Sequence, residues 1–147
     1  MEASTSANAA IRVMDLETRA ISMLPGSQGL FSPRYSPDGR HLAALSFDSQ
    51  RLMLFELATS KWTELYKGIV GWPNWSRDGR YLYWDTGTDL LRVRIDDRRV
   101  ERVASTQGLN RSIGLLGGWF GLGPDDAPLL MRDVGTHEIY ALDWEAP

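Results

Sequence analysis

Apolar and polar residues alternate along this chain in short runs, and the runs recur. Residues 52–57 (LMLFEL), 90–95 (LLRVRI) and 139–144 (IYALDW) align without gaps. Their second, fourth and sixth positions are Met53, Phe55 and Leu57, then Leu91, Val93 and Ile95, then Tyr140, Leu142 and Trp144, all apolar. A period of two over so few residues predicts half-buried β-strands. A second alternating run follows ten residues later, at 62–65 (WTEL) and 100–103 (VERV). The same pair stands near the N-terminus, where 11–16 (IRVMDL) precedes 21–24 (ISML) by the same offset of ten. No segment sustains the i, i+3, i+4 spacing of a capped helix.

A second recurring element precedes these hairpins. Ser36-Pro37-Asp38-Gly39-Arg40 returns as Ser76-Arg77-Asp78-Gly79-Arg80, and a weaker third copy is Gly123-Pro124-Asp125-Asp126. Asp-Gly signals a tight turn, because glycine adopts positive φ and the aspartate side chain bonds its own backbone. Tyr35, Trp75 and Leu122 lie three residues before each turn aspartate, and Leu42, Leu82 and Leu129 lie four after it. Ala44, Trp84 and Met131 continue that alternation two positions on.

Strand, Asp-Gly turn, strand and then a second hairpin make a four-stranded unit of forty-odd residues, the pattern of a β-propeller blade. The expected organisation is a tail at 1–10 and the last two strands of a blade at 11–24. Full blades follow at 31–65 and 72–103, and 118–144 supplies three strands of a blade completed by another chain. The predicted fold is therefore all-β, with antiparallel four-stranded blades and about three blades per chain: a half-propeller.

The stretch FSPRYSPDGRHLAALSFDSQRLMLFELATSKWTEL and the turn Trp75-Ser76-Arg77-Asp78-Gly79 resemble the repeats of TolB-like six-bladed propellers (WD40-like, PD40 repeats). The likeness covers roughly residues 11–144. Within that group it is similar to the C-terminal half of propellers attached to bacterial winged-helix regulators. The resemblance implies a ring of six blades. It implies sensing or binding rather than catalysis, and carries no DNA-binding segment with it.

A six-bladed ring needs about 240 residues at forty per blade. Three blades leave apolar sheet faces and a strand edge uncovered. A second copy supplies the missing half, so the expected partner is self, as a homodimer. The expected junction is a strand exchange: Ile21, Met23 and Leu24 of one chain complete the blade that Ile139, Tyr140, Leu142 and Trp144 begin in the other. Segments 11–16 and 139–144 then compete for one strand position. The C-terminal copy is expected to win, because Tyr140, Leu142 and Trp144 bury more area than Arg12, Met14 and Leu16.

Composition narrows the chemistry. The 147 residues carry 16 Lys+Arg against 19 Asp+Glu, a net charge of −3, so no electrostatic preference for nucleic acid is encoded. The arginines at 92, 94, 98, 99 and 102 alternate with Asp96, Asp97 and Glu101, which predicts local ion pairs. Zero Cys excludes disulfides, thiolate-ligated zinc and thiol catalysis. Two His with no partnering motif give neither a zinc spacing nor a hydrolase triad, G-x-S-x-G is absent, and Asp96-Asp97 and Asp125-Asp126 do not match a calcium loop. The Gly-rich run 114–123 lacks the G-K-[ST] ending of a phosphate loop. No membrane span is expected, and MEASTSANAA has neither the basic start nor the apolar run of a secretory signal. As encoded this points to the cytoplasm, while the parent family admits the periplasm.

What remains is a scaffold or binding module without enzymatic activity or cofactor. Trp72 and Trp119 precede innermost strands, and Arg34 and Asn74 occupy equivalent positions on them. These four are the candidate ligand-binding residues at the channel mouth. Two alternatives stand beside this reading: an accessory or gating piece of a larger hydrolase, and an engineered fragment with no ligand of its own.

Overall fold

The computed structural model describes residues 9–114, 117–136, 138–139 and 141. All its regular elements are strands. The first hairpin joins β1 (Arg12–Met14) and β2 (Ile21–Met23). A four-stranded sheet follows, built in sequence order from β3 (Leu30–Tyr35), β4 (His41–Ser46), β5 (Arg51–Glu56) and β6 (Lys61–Lys67). A second contains β7 (Gly71–Trp75), β8 (Tyr81–Asp85), β9 (Asp89–Arg94) and β10 (Val100–Ser105). Two short hairpins close the described chain: β11 (Ile113–Gly114) with β12 (Gly117–Gly118), and β13 (Phe120–Leu122) with β14 (Pro128–Leu130). Every pairing is antiparallel.

Strand alternation explains how the sheets stack. Successive side chains point to opposite faces, so one strand serves two interfaces. In β4, Leu42 and Ala44 join Ile11, Leu30 and Phe55 on the side of the first hairpin, while Ala43 and Leu45 join Leu82, Trp84 and Val93 on the other. In β8, Leu82 and Trp84 face back, whereas Tyr83 meets Leu90 and Phe120 ahead. Among the described residues the core is thus three apolar layers between consecutive sheets, the arrangement of a partial β-propeller of a few blades.

Indole N–H bonds pin these layers. Trp75 Nε1 donates to the Arg34 carbonyl at 2.9 Å, from one innermost strand to the preceding one. Trp62 Nε1 donates to the Pro25 carbonyl at 2.9 Å, tying the first hairpin to the outer strand β6. Each bond gives the polar edge of an indole a main-chain partner at the solvent-facing margin of an apolar layer.

The Asp-Gly turns have the same geometry in both full blades. Ser36 Oγ and Ser76 Oγ donate to Asp38 Oδ1 and Asp78 Oδ1 at 2.6 and 2.7 Å, and the same oxygens accept the Arg40 and Arg80 amides at 3.0 Å. Gly39 and Gly79 take φ of 68° and 71°. The Arg80 amide, the Ser76 hydroxyl and the Arg80 guanidinium together hold the Asp78 carboxyl down at about 2, below its ordinary 3.8.

The third turn differs by one residue. Ser36 and Ser76 amides reach the carbonyls five residues on, at His41 and Tyr81, but Gly123 bonds Ala127, four residues on, at 2.8 Å. Asp126 takes the left-handed position with φ 61°, a conformation aspartate tolerates better than most residues. The shorter loop sets Pro128 opposite Leu122 and Leu129 opposite Gly121. Leu129 and Met131, expected in register with Leu42/Leu82 and Ala44/Trp84, therefore lie 45% and 51% exposed, and Leu130 packs instead toward Phe120. A slip of one residue exchanges the two faces of a strand.

In the single chain Arg12–Met14 is paired with Ile21–Met23, and Ile11 is buried against Leu30, Leu42 and Phe55. A local turn makes this pairing entropically cheap to close, and the Ser27 hydroxyl accepts the Ile11 amide at 3.1 Å. Ile139 and Ala141 belong to no strand, and Tyr140 and Leu142 to Trp144 lie outside the described residues.

Candidate functional site

The innermost strands β3 and β7 each carry a bulge at the same repeat position. Their registers shift between Phe31 and Arg34, and between Gly71 and Asn74. Ser32 and Trp72, the equivalent residues, have φ of 53° and 50°, and each precedes a proline. Proline is admissible because an innermost strand is a sheet edge with an unpaired side. A bulky side chain at positive φ is uncommon. Here Asn74 Nδ2 holds it by donating to the Trp72 carbonyl at 2.7 Å.

The two bulges open a cleft of about 520 Å3 between the full blades. Buried Leu45 and Val70 form its floor, Phe31 a wall, and Arg34 and Ser32 its rim; Trp72 also lines it while packing forward against the layer of Tyr83, Leu90 and Phe120. The Arg34 carbonyl is committed to Trp75, but its guanidinium pairs with none of the described carboxylates. Apolar walls with one cationic group suit an amphiphilic ligand.

Arg34 and Trp72 are thus brought together, and the other two sequence candidates are not. Asn74 belongs to the next junction, where Nδ2 also donates to the Phe120 carbonyl at 3.2 Å beside a second cleft lined by Trp75, Arg77 and Leu122. Trp119 lies outside both clefts, with its ring laid across Gly121 so closely that a Cβ there would meet Cη2 at 2.7 Å. Of the candidate interface residues, Ile21 and Met23 are exposed side by side with Met14 on one face of the first hairpin. Leu24 packs partly buried toward Ile11 and Leu30. Ile139 is fully exposed, while Tyr140, Leu142 and Trp144 fall outside the described residues.

The arginine-rich hairpin is internally paired. Arg92 bonds Glu101 at 2.9 Å and covers the Tyr81 ring at 4.4 Å, and Arg94, Arg99 and Arg102 reach Asp97, Glu101 and Asp89. His41 stacks on Trp75 at 6.3 Å between centroids. Among the described residues no three His, Asp or Glu side chains converge on a point that would hold a metal, and no helix is long and apolar enough to cross a membrane.

One feature of the inter-blade junction escapes sequence reasoning. Asp85 occupies the repeat position of Leu45, and its carboxylate meets the Arg111 guanidinium at 2.6 Å with both side chains more than nine-tenths buried. A signal existed, since an acid replaces a core leucine, but the partner comes from the irregular segment beyond β10.

No protein-family profile matches this chain. Over 69 residues it is 36% identical to the Tol-Pal system protein TolB of Alcanivorax borkumensis, a match covering 44% of this chain and 16% of that protein. Among solved structures it is similar to TolB from Acinetobacter baumannii, with TM-score 0.58, 21% identity, and coverage of 80% of this chain and 30% of that one. A putative TolB from Agrobacterium tumefaciens gives TM-score 0.56 and 20% identity over 80% of this chain and 44% of that one. A Bacteroides thetaiotaomicron protein of unknown function gives 0.63 at 15% identity over 84% and 33%. The chain thus spans less than half the length of each of these relatives. The repeated turn, the three inter-blade layers and these likenesses converge: this chain folds as a partial β-propeller and is similar to TolB.

Proposed function

We propose that this chain is a non-catalytic binding scaffold and that two copies close a six-bladed ring. The observation that carries this reading is the complementarity of its two ends. The hairpin β1–β2 has the sequence pattern and ten-residue offset of the third and fourth strands of a blade, and β13–β14 follows the pattern of the first and second. No described strand pairs with the outer edge of β14 or the free edge of β1. Joining β14 of one chain to β1 of its partner makes a four-stranded blade, in the order that β4 and β5 follow within a chain, through main-chain hydrogen bonds. Met14, Ile21 and Met23, exposed in the single chain, then face the partner's second full blade. A twofold axis makes two such junctions identical. The likeness to TolB supports a binding role, and the Arg34–Trp72 cleft supplies a place for a ligand at the channel mouth.

Light scattering coupled to size exclusion tests the ring: the expected mass is twice 16.5 kDa. A monodisperse monomer overturns it. The paired substitution Ile21→Lys/Met23→Lys is expected to return the assembly to monomers, and a dimer unchanged by it removes the hairpin from the interface. Truncation after residue 136 separates the two ways of building the joint blade. A dimer that persists supports β1 as the third strand, whereas loss of the dimer assigns that place to residues 139–144.

A further inference from the structure

We infer that the cleft between β3 and β7 is a subsite for a small carboxylate borne on an aromatic or extended apolar body. This rests on the reading of the channel mouth as a binding face and names the chemistry that face selects.

Three observations carry it. First, the cleft is apolar where it is deep: Leu45 and Val70 are buried at its floor, Phe31 stands as a wall, and Trp72 lines it with its ring backed by the layer of Tyr83, Leu90 and Phe120. A planar ring or alkyl chain entering there removes apolar surface from water on both sides. Second, the rim carries the Arg34 guanidinium, which makes no ion pair with any described residue. Its planar fork matches a carboxylate in a bidentate manner, and an uncharged amide cannot reproduce that charge-assisted pair. Third, the walls are held in an uncommon backbone state. Ser32 and Trp72 both sit at positive φ, in bulges at matched places on neighbouring innermost strands. Bulges re-aim side chains and concentrate near functional sites. Trp75 fixes the Arg34 main chain from below and Asn74 fixes that of Trp72, so the two groups that would meet the ligand are positioned before it arrives.

The cleft volume of about 520 Å3 falls within the range of small-molecule sites. Its contents set polarity as well as size: a cation at the rim and an apolar floor orient an amphiphile with its charged end outward.

The test uses the full chain and two probes of equal shape, 3-phenylpropanoate and 3-phenylpropanamide, titrated against the indole N–H signals in a nitrogen–proton correlation spectrum. The Trp72 signal is assigned by its absence in Trp72→Phe. The expected result is a saturable shift of the Trp72 signal with the carboxylate and an affinity roughly tenfold weaker for the amide. Arg34→Gln alters an exposed side chain that makes no ion pair among the described residues, so the fold is expected to persist, and it is expected to bring the carboxylate down to the affinity of the amide. Equal binding of both probes, an unchanged response in Arg34→Gln, or shifts confined to other tryptophans overturns the assignment. Light scattering on the same samples keeps the two readings apart. A dimer that ignores the carboxylate sinks the ligand class alone, and a monomer that binds it with the expected selectivity sinks the ring alone.

Discussion

Arg111 and Asp85 meet at 2.6 Å across the junction between the second full blade and the irregular segment that follows it, both nearly excluded from water. Asp85 also accepts the Gly87 amide at 2.8 Å, and Arg111 Nη2 reaches the Gly118 carbonyl at 3.3 Å, leaving its Nε buried without a partner. A buried pair of this kind is costly to halve and inexpensive to replace whole. Arg111→Met alone strands the carboxylate and is expected to cost about 3–5 kcal/mol. Asp85→Leu/Arg111→Met restores the leucine that the first full blade has at Leu45, and is expected to lie within about 1 kcal/mol of the parent or above it. Urea denaturation of the three variants decides; a single substitution as mild as the double one removes the pair from the stability of this junction.

Acid stability should carry the signature of the Asp-Gly turn. The Asp78 carboxyl titrates at about 2 in the folded chain against an ordinary 3.8. A carboxyl lowered by folding stabilises above its unfolded value, and that contribution disappears as pH falls from about 4 through about 2. Asp78→Asn should therefore lose stability near neutrality and converge on the parent as pH falls through about 2. A constant difference across that window contradicts the assignment. Asp38 is lowered by the same Ser36 hydroxyl and Arg40 amide, so Asp38→Asn is expected to behave in the same direction.

The third turn offers a test of its shortened geometry. Asp126 combines a left-handed backbone with a side chain whose Oδ1 accepts the Arg77 amide at 2.8 Å, joining two blades. Asp126→Asn keeps both properties and should change stability by no more than about 0.5 kcal/mol. Asp126→Ala loses both and should cost about 1–2 kcal/mol. Equal midpoints for the two variants in thermal unfolding argue against this turn.

Detaching the first hairpin should be possible through one side chain. Trp62→Phe preserves an aromatic ring against Phe55, now at 4.9 Å, and deletes the N–H bonded to the Pro25 carbonyl together with part of the indole's contact with the first hairpin's layer. The expected loss is about 1 kcal/mol, felt locally, so amide exchange of residues 12–14 and 21–23 should accelerate about fivefold while β4 and β8 stay protected. Uniform acceleration across the chain would place the bond in the global core instead.

Much of the fold is legible in the chain because it rests on local rules. Period-two runs, an Asp-Gly dipeptide and a ten-residue hairpin offset each act within a few residues, and repetition lets Leu42 be checked against Leu82 and Met53 against Leu91. The aromatic anchors also follow from repeat position: Trp75 and Trp84 fall at blade junctions. Of the candidate site residues, the sequence offered Arg34 and Asn74 as matched positions and Trp72 and Trp119 as residues preceding innermost strands; the structure places Arg34 and Trp72 on one cleft. That Asn74 belongs to the neighbouring junction, and Trp119 to neither cleft, depends on which carbonyl lies across a gap 46 residues away for the first and on a ring folded over Gly121 for the second.

The sequence by itself determined the strand periodicity, the four-stranded unit and the turn chemistry, because these arise from alternation and from hydrogen bonds between close neighbours. Tertiary structure alone decided the rest. One residue fewer in the third turn reverses which of Leu129 and Leu130 is covered. An acid at a leucine position becomes tolerable only because Arg111 returns to it from a distant loop. Burial and partner choice are properties of the stack, and no run of adjacent residues encodes what another blade will bring against it.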